Sequence, residues 1–366
     1  MTAFRFAVLG TGSVARAFAL GLRASDHVEV GAVGSRTPAR AQEFVDALGL
    51  GCLATDHAGV LGSDVDAVYI ATPPSTHRDL ALAALAAGKP VLVEKPFATD
   101  AALAREVVEA ARSAGLFCME ALWTRFLPLV REVDALLAQG AIGDVTGVTG
   151  SFGNADVVAP HLLDPALGGG ALLDRGVYPL SFVVRALGRP ESVSAQAVLG
   201  PTGVDEETAA VLRHPGGGLS TVHASLRGEL GNDLRYTGTR GSLWVRGPAY
   251  RPASAVLVRG GERTAVEPAG APAADGVAGA GPLDSRWAHG LRQVVGLLPP
   301  AVRARTVPLV RRYAGNGYHY QAEEVARCVR LGLLESPVMP VDESLAVMET
   351  VDQIRAAAGH RPDRPA

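Results

Sequence analysis

Short apolar segments alternate with amphipathic segments through the first 120 residues. Apolar runs of strand length lie at Phe4–Leu9, Val28–Val33, Ala67–Ala71 and Val91–Val93. They show little polar alternation, which is typical of parallel strands that are covered on both faces. Helical patterns separate them, so the order of elements predicts a parallel sheet with crossover helices. We therefore predict an α/β chain that begins with a Rossmann domain over residues 1–121.

Helix boundaries in this region carry the expected signals. Thr37 precedes a helical pattern that has Pro38 in its first turn, and Gly49 follows its last apolar residue. Asp100 precedes another helical pattern, and Gly115 follows it. Small polar residues satisfy free backbone N–H groups at a helix start, whereas glycine readily adopts the left-handed conformation at a helix end.

The pattern changes after a helical stretch at 126–137. Segments with period-two alternation follow, at Val145–Phe152, Val193–Leu199, Thr208–Leu212, Ser220–Leu226 and Ser242–Val245. We predict a C-terminal α+β domain over residues 122–366 with a large, open, mostly antiparallel sheet. A helical segment at 170–187 interrupts the strands, and two C-terminal helices occupy 320–358.

The pattern of residues 264–315 matches neither a helix nor a strand along its whole length. They begin as a linker rich in Ala, Gly and Pro and then become basic and amphipathic. Such a composition offers little material for a core. The segment is predicted to be an insertion that forms an exposed loop or lid, or else a contact with a partner or another subunit.

Composition excludes several classes of function. Of the 366 residues, 48% are hydrophobic and 19% charged, and the formal net charge is −3. Polybasic runs are absent from the sequence, so nucleic acid and anionic membranes are not expected partners. No apolar run is long enough to span a membrane. The three cysteines and nine histidines show no metal-ligand spacing, so we expect a cytoplasmic protein without a metal site.

A glycine-rich motif follows the first predicted strand. Gly10, Thr11, Gly12, Ser13 and Val14 precede Ala15 in the pattern G-x-G-x-x-G/A. In that pattern the first glycine makes a tight turn, the second lets the backbone approach a pyrophosphate, and the small last residue permits close helix packing. The helix N-terminus then faces the phosphates. The motif and its strand–turn–helix context predict dinucleotide binding.

The end of the second strand indicates which nicotinamide coenzyme is bound. An acidic residue there would hold the ribose 2′-hydroxyl of NAD. This chain instead has Ser35 and Arg36, with Arg40 one turn later. The missing acid and the available arginines favour NADP(H). The alternative is that Arg36 stacks on the adenine, which leaves NAD(H) possible.

Lysine is almost absent from the chain. Apart from Lys89 and Lys95, every positively charged side chain other than histidine is arginine. An amine can change its protonation state when it is buried, whereas a guanidinium stays protonated. Lys95 ends an apolar strand in Glu94-Lys95-Pro96, so a chemical role is favoured there; the alternative is that both lysines merely escaped codon bias. For Lys89, in a turn, a structural role is favoured.

With these motifs in place, the chain resembles the glucose-fructose oxidoreductase / inositol dehydrogenase (Gfo/Idh/MocA) family over nearly its whole length. The similarity is carried by G-T-G-S-V-A, A-T-P-P-S-T-H, A-L-A-A-G-K-P-V-L-V-E-K-P, M-E-A-L-W-T-R-F, G-G-G-A-L-L-D-R-G-V-Y-P and A-E-E-V-A-R-C-V-R-L-G-L-L-E-S-P. The motifs are most similar to the dimeric dihydrodiol dehydrogenase / D-xylose dehydrogenase branch.

The resemblance implies a nicotinamide-dependent oxidoreductase and assigns its catalytic positions. Lys95 falls on the lysine of the family's E-K-P motif, and Tyr178 falls on its second catalytic position. We expect Tyr178 to be the general acid/base, with Lys95 lowering its pKa by stabilising the phenolate; the two roles could be reversed. Asp174, four residues before Tyr178, is either a substrate-orienting carboxylate or a structural cap. Pro179 is expected to kink the helix that carries them.

The resemblance also implies which residues bind the substrate and the coenzyme. Substrate contacts are expected from Trp123, Arg125, Phe126, His161, Asp174 and Arg175, although Phe126 could be core, and Arg175 could point to solvent. His77 contacts the nicotinamide or else packs at a helix start. The full predicted coenzyme set is Gly10, Thr11, Gly12, Ser13, Val14, Ser35, Arg36, Arg40, Thr72, Pro73, His77, Glu94 and Lys95.

The predicted activity is hydride transfer between NADP(H) and a hydroxyl or carbonyl of a sugar, a polyol or a small vicinal diol or dicarbonyl. The alternatives are a ketoreductase for nucleotide-linked deoxysugars, a redox-neutral enzyme that retains its nicotinamide, and a non-catalytic NADP(H) sensor. The second domain is expected to supply the substrate pocket and the contacts of a homodimer or homotetramer.

Overall fold

The computed structural model describes residues 2–155, 159–260 and 305–360, and within them the chain forms two sheets. The first has six strands, listed here in chain order: β1 (Phe4–Leu9), β2 (Val28–Gly34), β3 (Leu53–Thr55), β4 (Ala67–Ile70), β5 (Val91–Glu94) and β6 (Cys118–Ala121). Their order in the sheet is β3-β2-β1-β4-β5-β6, and every pair is parallel. This is the predicted Rossmann topology, and its crevice lies where the strand order reverses, between β1 and β4.

Helices cover both faces of this sheet. They are α1 (Ser13–Leu22), α2 (Pro38–Leu48), α3 (His57–Leu61), α4 (His77–Ala86) and α5 (Ala101–Ala114). The Asp100 side chain accepts a hydrogen bond from the Leu103 N–H at 2.9 Å, and Gly115 ends α5 with φ of 63°, so both predicted signals are confirmed. Gly49 ends α2 in the same conformation. β3 and α3 were not predicted.

The second sheet has eight strands. In chain order they are β7 (Val145–Gly153), β8 (Ser192–Leu199), β9 (Asp205–Arg213), β10 (Leu219–Ser225), β11 (Leu234–Gly238), β12 (Gly241–Val245), β13 (Ser254–Arg259) and β14 (Thr306–Val310). Their order is β14-β13-β12-β11-β7-β10-β9-β8. Within this second sheet, as far as it is described, the β7–β10 pair is parallel and the other pairs are antiparallel, so the predicted large, mostly antiparallel sheet is confirmed.

One end of the predicted 264–315 insertion belongs to the fold. Residues 264–304 lie outside the described residues, but Thr306–Val310 forms β14 and pairs with β13 in register Leu257↔Val307. Asn316 then donates a hydrogen bond from Nδ2 to the Ala17 carbonyl at 2.7 Å. The prediction of a loop or lid is therefore wrong for this end. The limits of the two domains stay a prediction.

Four more helices complete the described structure: α6 (Pro128–Ala138), α7 (Val177–Leu187), α8 (His319–Arg330) and α9 (Val341–Ala357). α7 packs on β7, while α9 contacts α5 and β6 on one side and α7 and β8 on the other. One continuous cluster of buried apolar side chains consequently runs from the first sheet into the second. This packing positions the end of β5 against the start of α7, where the candidate site lies.

Ionisable groups are also buried in this framework. Glu120, on β6, is 2% exposed. Its burial raises its pKa to about 7, although the nearby charges of Arg125 and Lys95 act in the opposite direction. The carboxylate form is therefore disfavoured in the folded protein relative to the unfolded chain.

We expect the substitution Glu120→Gln to stabilise the protein in a pH-dependent way. The folded state holds the Glu120 proton more tightly than the unfolded chain, so wild-type stability falls as the pH rises from the ordinary value of 4.5 to about 7. Glutamine keeps the shape and removes the charge. The gain in free energy of unfolding over the wild type should be larger at pH 8 than at pH 5 by about 1–3 kcal/mol. Denaturant titration at both pH values measures this.

Glu109→Gln, at an exposed position of α5, is the matched control. An equal gain from Glu120→Gln at pH 5 and pH 8 would contradict the account.

Candidate active site

The glycine-rich loop lies at the carboxyl end of β1, beside the carboxyl end of β4. Gly10 has φ of +112°, and a Cβ there would lie 2.3 Å from the Ala71 carbonyl oxygen, so only glycine fits. A Cβ on Gly12 would meet nothing within 4 Å. The space above Gly12 is thus open to a group that approaches the backbone, as the pyrophosphate of a dinucleotide does. α1 begins at the next residue, Ser13.

A single cleft of about 1350 Å³ runs along this edge of the sheet. Its volume is more than that of a typical drug-sized pocket and leaves room for a dinucleotide and a small substrate. All of the predicted coenzyme residues except His77 line it: Gly10, Thr11, Gly12, Ser13, Val14, Ser35, Arg36, Arg40, Thr72, Pro73, Glu94 and Lys95. Asp174 and His161 line the same cleft.

His77 lies behind the cleft wall, because its side chain is only 1% exposed. Its Nδ1 is 2.9 Å from the Pro96 carbonyl oxygen and its Nε2 is 2.9 Å from the Thr72 carbonyl oxygen. The ring thus joins the loops that follow β4 and β5. Of the two predicted roles, the structure supports packing at the start of α4. It does not support direct contact between His77 and the nicotinamide.

Lys95 and Asp174 form the polar centre of the cleft. Lys95 Nζ donates to Asp174 Oδ1 at 2.7 Å and to the Asp174 carbonyl at 2.9 Å. Arg175 Nε lies 3.7 Å from Asp174 Oδ2. One carboxylate therefore lies between two cations, and its ion pair with Lys95 joins the end of β5 to the turn that precedes α7.

The backbone at this turn explains how Asp174 reaches Lys95. Residues Leu172–Gly176 form a π-helical turn that continues into α7. Pro179 has no N–H, so it cannot complete an α-helical hydrogen bond to the Arg175 carbonyl. A widened, π-helical turn lies directly before this position, a form that is common at functional sites; the kink itself stays a prediction. Asp174 does not act as a helix cap through its side chain here.

The electrostatics of the pair favour both charged forms. Burial opposes the charge on Lys95, but Asp174 more than offsets it and raises the pKa of the amine above its usual value. Burial likewise opposes the charge on Asp174, and Lys95 more than offsets it, so the pKa of Asp174 is lowered. The site consequently holds a protonated amine, with 13% of its side chain exposed, at the cleft.

Tyr178 does not behave as predicted. The Lys95 ammonium lies 5.1 Å from the centroid of the Tyr178 ring, while its hydrogen bonds go to Asp174. Burial first, and the nearby charge of Glu94 second, raise the pKa of Tyr178 well above its usual value. The prediction that Lys95 lowers the pKa of Tyr178 is therefore wrong in this structure, and the phenol is neutral.

Glu94 is a second perturbed carboxyl in the cleft. It accepts hydrogen bonds from the Tyr69 hydroxyl and from the Lys95 backbone N–H. Burial raises the pKa of Glu94 to about 7, despite these hydrogen bonds and the nearby Lys95 charge. Glu94 is thus partly protonated at neutral pH, while Lys95 and Asp174 remain charged.

The predicted substrate residues divide into two groups. His161 is exposed and lines the cleft, and its position lets it influence the Asp174 carboxylate. Trp123 and Phe126 are 5% and 6% exposed, and neither lines the cleft. Phe126 is part of the apolar core.

Arg125 and Arg175 are interior residues. Arg125 has no exposed surface; it donates to Ser181 and to the Val338 carbonyl, and it pairs with Glu343 at 2.8 Å. Arg175 is 4% exposed and donates to the Asn154 and Ser225 carbonyls. Arg175 therefore does not point to solvent. Both guanidinium groups bind backbone or side-chain groups of the protein interior. The structure therefore does not support the predicted direct contact of either arginine with substrate.

Two residues near the site were missed in the sequence. The Tyr318 ring stacks on Trp123 with centroids 4.7 Å apart. Its position among glycines in G-N-G-Y gives no periodic signal. His57 lines the cleft near Arg36; the Asp56-His57 pair, at the start of the unpredicted α3, was the available signal.

Within the described ranges, no group of three or more His, Cys, Asp or Glu side chains could hold a metal ion. Nor is any helix in those ranges both long and apolar enough to cross a bilayer.

Family models match most of the chain. The model for the oxidoreductase family with an NAD-binding Rossmann fold (Gfo/Idh/MocA) matches residues 4–122, and the model for the Gfo/Idh/MocA C-terminal domain matches residues 130–244. Trans-1,2-dihydrobenzene-1,2-diol dehydrogenase of Bos taurus is 33% identical over 363 residues, which cover 98% of this chain and 97% of the relative. The enzyme of that name from Mus musculus is 32% identical with the same coverage.

Solved structures share the arrangement of both sheets. A 3-ketoreductase from Actinomadura kijaniata, in complex with NADP and TDP-benzene, is 26% identical with a TM-score of 0.75, over 97% of this chain and 98% of that one. An aldose-aldose oxidoreductase from Caulobacter crescentus is 23% identical with a TM-score of 0.77, over 98% of each chain; this likeness concerns the fold alone.

We expect Asp174→Asn to lower the pKa of Lys95. The variant removes the charge that stabilises the ammonium and leaves the burial that opposes it, so the pKa of Lys95 should fall below that in the wild type. Because the chain has only two lysines, NMR of protein labelled with ¹³Cε-lysine follows Lys95 directly. Lys89 is the internal reference, since its Nζ donates to the Ser63 and Val65 carbonyls, away from the site.

Asp26→Asn, at an exposed position before β2, controls for the loss of one negative charge. An unchanged titration of Lys95 in Asp174→Asn would show that the ion pair does not set its protonation.

Proposed function

The chain belongs to the Gfo/Idh/MocA family of oxidoreductases with an NAD-binding Rossmann fold, and on that basis we propose that it transfers a hydride between NADP(H) and a hydroxyl or carbonyl group. The proposed substrate is a sugar, a polyol or a small vicinal diol or dicarbonyl. One observation carries the proposal: the charged amine of Lys95 lies in the same cleft as the Gly10–Val14 loop, 2.7 Å from the Asp174 carboxylate.

The choice of substrate class rests on the relatives and on the surroundings of the polar centre. The relatives at 32–33% identity are named for a cyclic vicinal diol. The Tyr178 ring, whose centroid lies 5.1 Å from Lys95 Nζ, packs with the Phe152 and Tyr250 rings, with all three centroids within 6.4 Å of one another. A polar centre beside aromatic rings suits a small hydroxylated ring or chain. The 3-ketoreductase makes a nucleotide-linked keto sugar the second candidate.

The coenzyme, when bound, supplies or accepts the hydride. In reduction, the carbonyl oxygen gains negative charge as the new C–H bond forms, and Lys95 Nζ donates first a hydrogen bond and then a proton to it. In oxidation, the ammonium first releases its proton to solvent, and the resulting neutral amine then takes the proton from the hydroxyl. Asp174 orients the amine and stabilises its protonated form.

We assign Tyr178 a different role from that first expected. Its raised pKa keeps the phenol neutral, so it can donate a hydrogen bond to the reacting oxygen but is a poor base. We propose that Lys95 exchanges the proton and that Tyr178 helps to fix the oxygen. This is the reversed assignment of the two roles.

The preference for NADP(H) is proposed from one end of the cleft. Ser35, Arg36, Thr37 and Arg40 line it after β2, and β2 ends without a carboxylate that could bind a 2′-hydroxyl. Guanidinium groups pair well with phosphate oxygens. A homodimer or homotetramer and a cytoplasmic location stay predictions.

We expect Lys95→Met to abolish most of the activity while coenzyme binding persists. Loss of the proton donor should lower kcat/KM about 10²- to 10⁴-fold. Initial rates of NADP⁺ reduction and NADPH oxidation, measured with pentoses, hexoses, dihydrodiols, dicarbonyls and keto-deoxysugar nucleotides, test this and identify the substrate class. Lys89→Met is the matched control. Tyr178→Phe should retain more activity than Lys95→Met.

Full activity in Lys95→Met would refute the proton assignment. A wild-type protein that binds NADPH tightly but turns over none of these compounds would favour a sensor, whereas turnover without net change in free coenzyme would favour a redox-neutral enzyme.

We expect Arg36→Ala to weaken NADPH binding selectively. Losing one charge-assisted contact to phosphate should raise the Kd for NADPH about 10-fold or more and leave the Kd for NADH within about 2-fold. Quenching of protein fluorescence by each coenzyme measures both constants. Arg131→Ala, at an exposed position of α6 outside the cleft, is the control. Equal wild-type affinities for the two coenzymes would rule out the preference.

A further inference from the structure

We propose that His57 completes the binding site for the coenzyme 2′-phosphate and takes up a proton when that phosphate binds, so that NADP(H) affinity increases as the pH falls. This inference rests on the NADP(H) preference proposed above. It adds a third cation to the two arginines and makes the preference depend on pH.

The sheet brings His57 next to Arg36. β2 and β3 pair in register Gly34↔Thr55, and the Ser35 N–H donates to the Thr55 carbonyl at 3.2 Å. Arg36 is therefore one residue past Ser35, and His57 is two residues past Thr55, where the hydrogen bonding between these parallel strands ends. Both lie at the same edge of the sheet. Carboxyl ends of neighbouring strands converge there.

His57 is accessible to a ligand in that position. Its side chain is half-buried and lines the cleft together with Arg36, Thr37 and Arg40. The neighbouring Asp56 carboxylate is engaged, because it accepts a hydrogen bond from the Gly59 N–H at 2.7 Å. The imidazole of His57 is thus not tied to a carboxylate of its own helix and can face a phosphate.

The surrounding charges make the imidazole sensitive to an anion. Burial first, and the positive charge of Arg36 second, lower the pKa of His57, while Asp56 opposes them. Arg40 and Glu43 of α2 line the same cleft, and α3 holds no other titratable side chain. Neutral imidazole therefore predominates near pH 7 in the free protein.

A bound phosphate reverses this balance. It carries nearly two negative charges at neutral pH, which neutralise Arg36 and stabilise the imidazolium. The proton comes from the solvent, and no covalent bond changes. NADH has a 2′-hydroxyl at this position, so its binding should leave His57 neutral.

The test is isothermal titration calorimetry of the whole protein with NADPH and NADH at pH 7, in two buffers that differ in ionisation enthalpy. The wild type should take up a substantial fraction of one proton with NADPH and almost none with NADH. His57→Gln should lose that uptake. The 2′-phosphate is the same when NADPH is titrated into the wild type and into His57→Gln, so the difference in proton uptake between the two proteins belongs to His57.

Affinity gives a second readout. In His57→Gln the Kd for NADPH should rise about 5- to 10-fold at pH 6 and about 2-fold or less at pH 8. The Kd for NADH should stay unchanged at both pH values, which also shows that the variant is folded. His27→Gln, at an exposed histidine before β2, is the matched control and should bind like the wild type.

The two proposals fail in different ways. A wild type that prefers NADPH, with the same proton uptake and pH dependence in His57→Gln, would overturn the role of His57 and leave the coenzyme preference intact. Equal weakening of NADPH and NADH in His57→Gln would also overturn it, since a structural role is then sufficient. A wild type without preference for NADPH would overturn the coenzyme proposal and this inference together.

Discussion

The ion pair between Lys95 and Asp174 is the interaction on which the site depends. Each partner comes from a different part of the fold, Lys95 from the end of β5 and Asp174 from the π-helical turn before α7. Removing one partner of a buried ion pair leaves the other charge uncompensated. This costs more free energy than the intact pair contributes to stability. The position of the π-helical turn relative to the end of β5 must therefore be held accurately.

The fold meets this requirement with buried polar contacts as well as apolar packing. α9 lies between the two sheets, and Arg125 ties the segment after β6 to α7 and α9 through Ser181 and Glu343. His77 joins the loop after β4 to the loop after β5. These residues belong to types that often act in catalysis, but here they position the loops that line the cleft.

Much of the architecture could be predicted from the sequence because it follows local rules. β1, β4 and β5 consist mainly of buried apolar residues, and Asp100, Gly49 and Gly115 mark helix ends by their backbone chemistry. The elements that were missed include β3, which has three residues, α3, which has five although Asp56 caps it, and β14, which is separated from β13 by more than 40 residues of chain. The Gly10–Val14 loop could be placed because strand, turn and helix are contiguous.

The direction in which a side chain points could not be predicted in the same way. Arg125, Arg175 and His77 are buried by partners 5 to 218 residues away in sequence, and only the tertiary structure shows that they face away from the cleft. The predicted direction of the pKa shift of Tyr178 was wrong for a related reason. Its burial, and the choice of Asp174 rather than the phenol as the partner of Lys95, are properties of the packed site.

The most direct test of the account is a crystal structure of the protein with NADP⁺ and an alcohol substrate identified by the activity screen. The account predicts that Lys95 Nζ lies within about 3 Å of the reacting oxygen and keeps its contact with Asp174, with the nicotinamide on the opposite side of the reacting carbon. A complex in which the reacting oxygen contacts another proton donor, with Lys95 bonded to Asp174 alone, would contradict it.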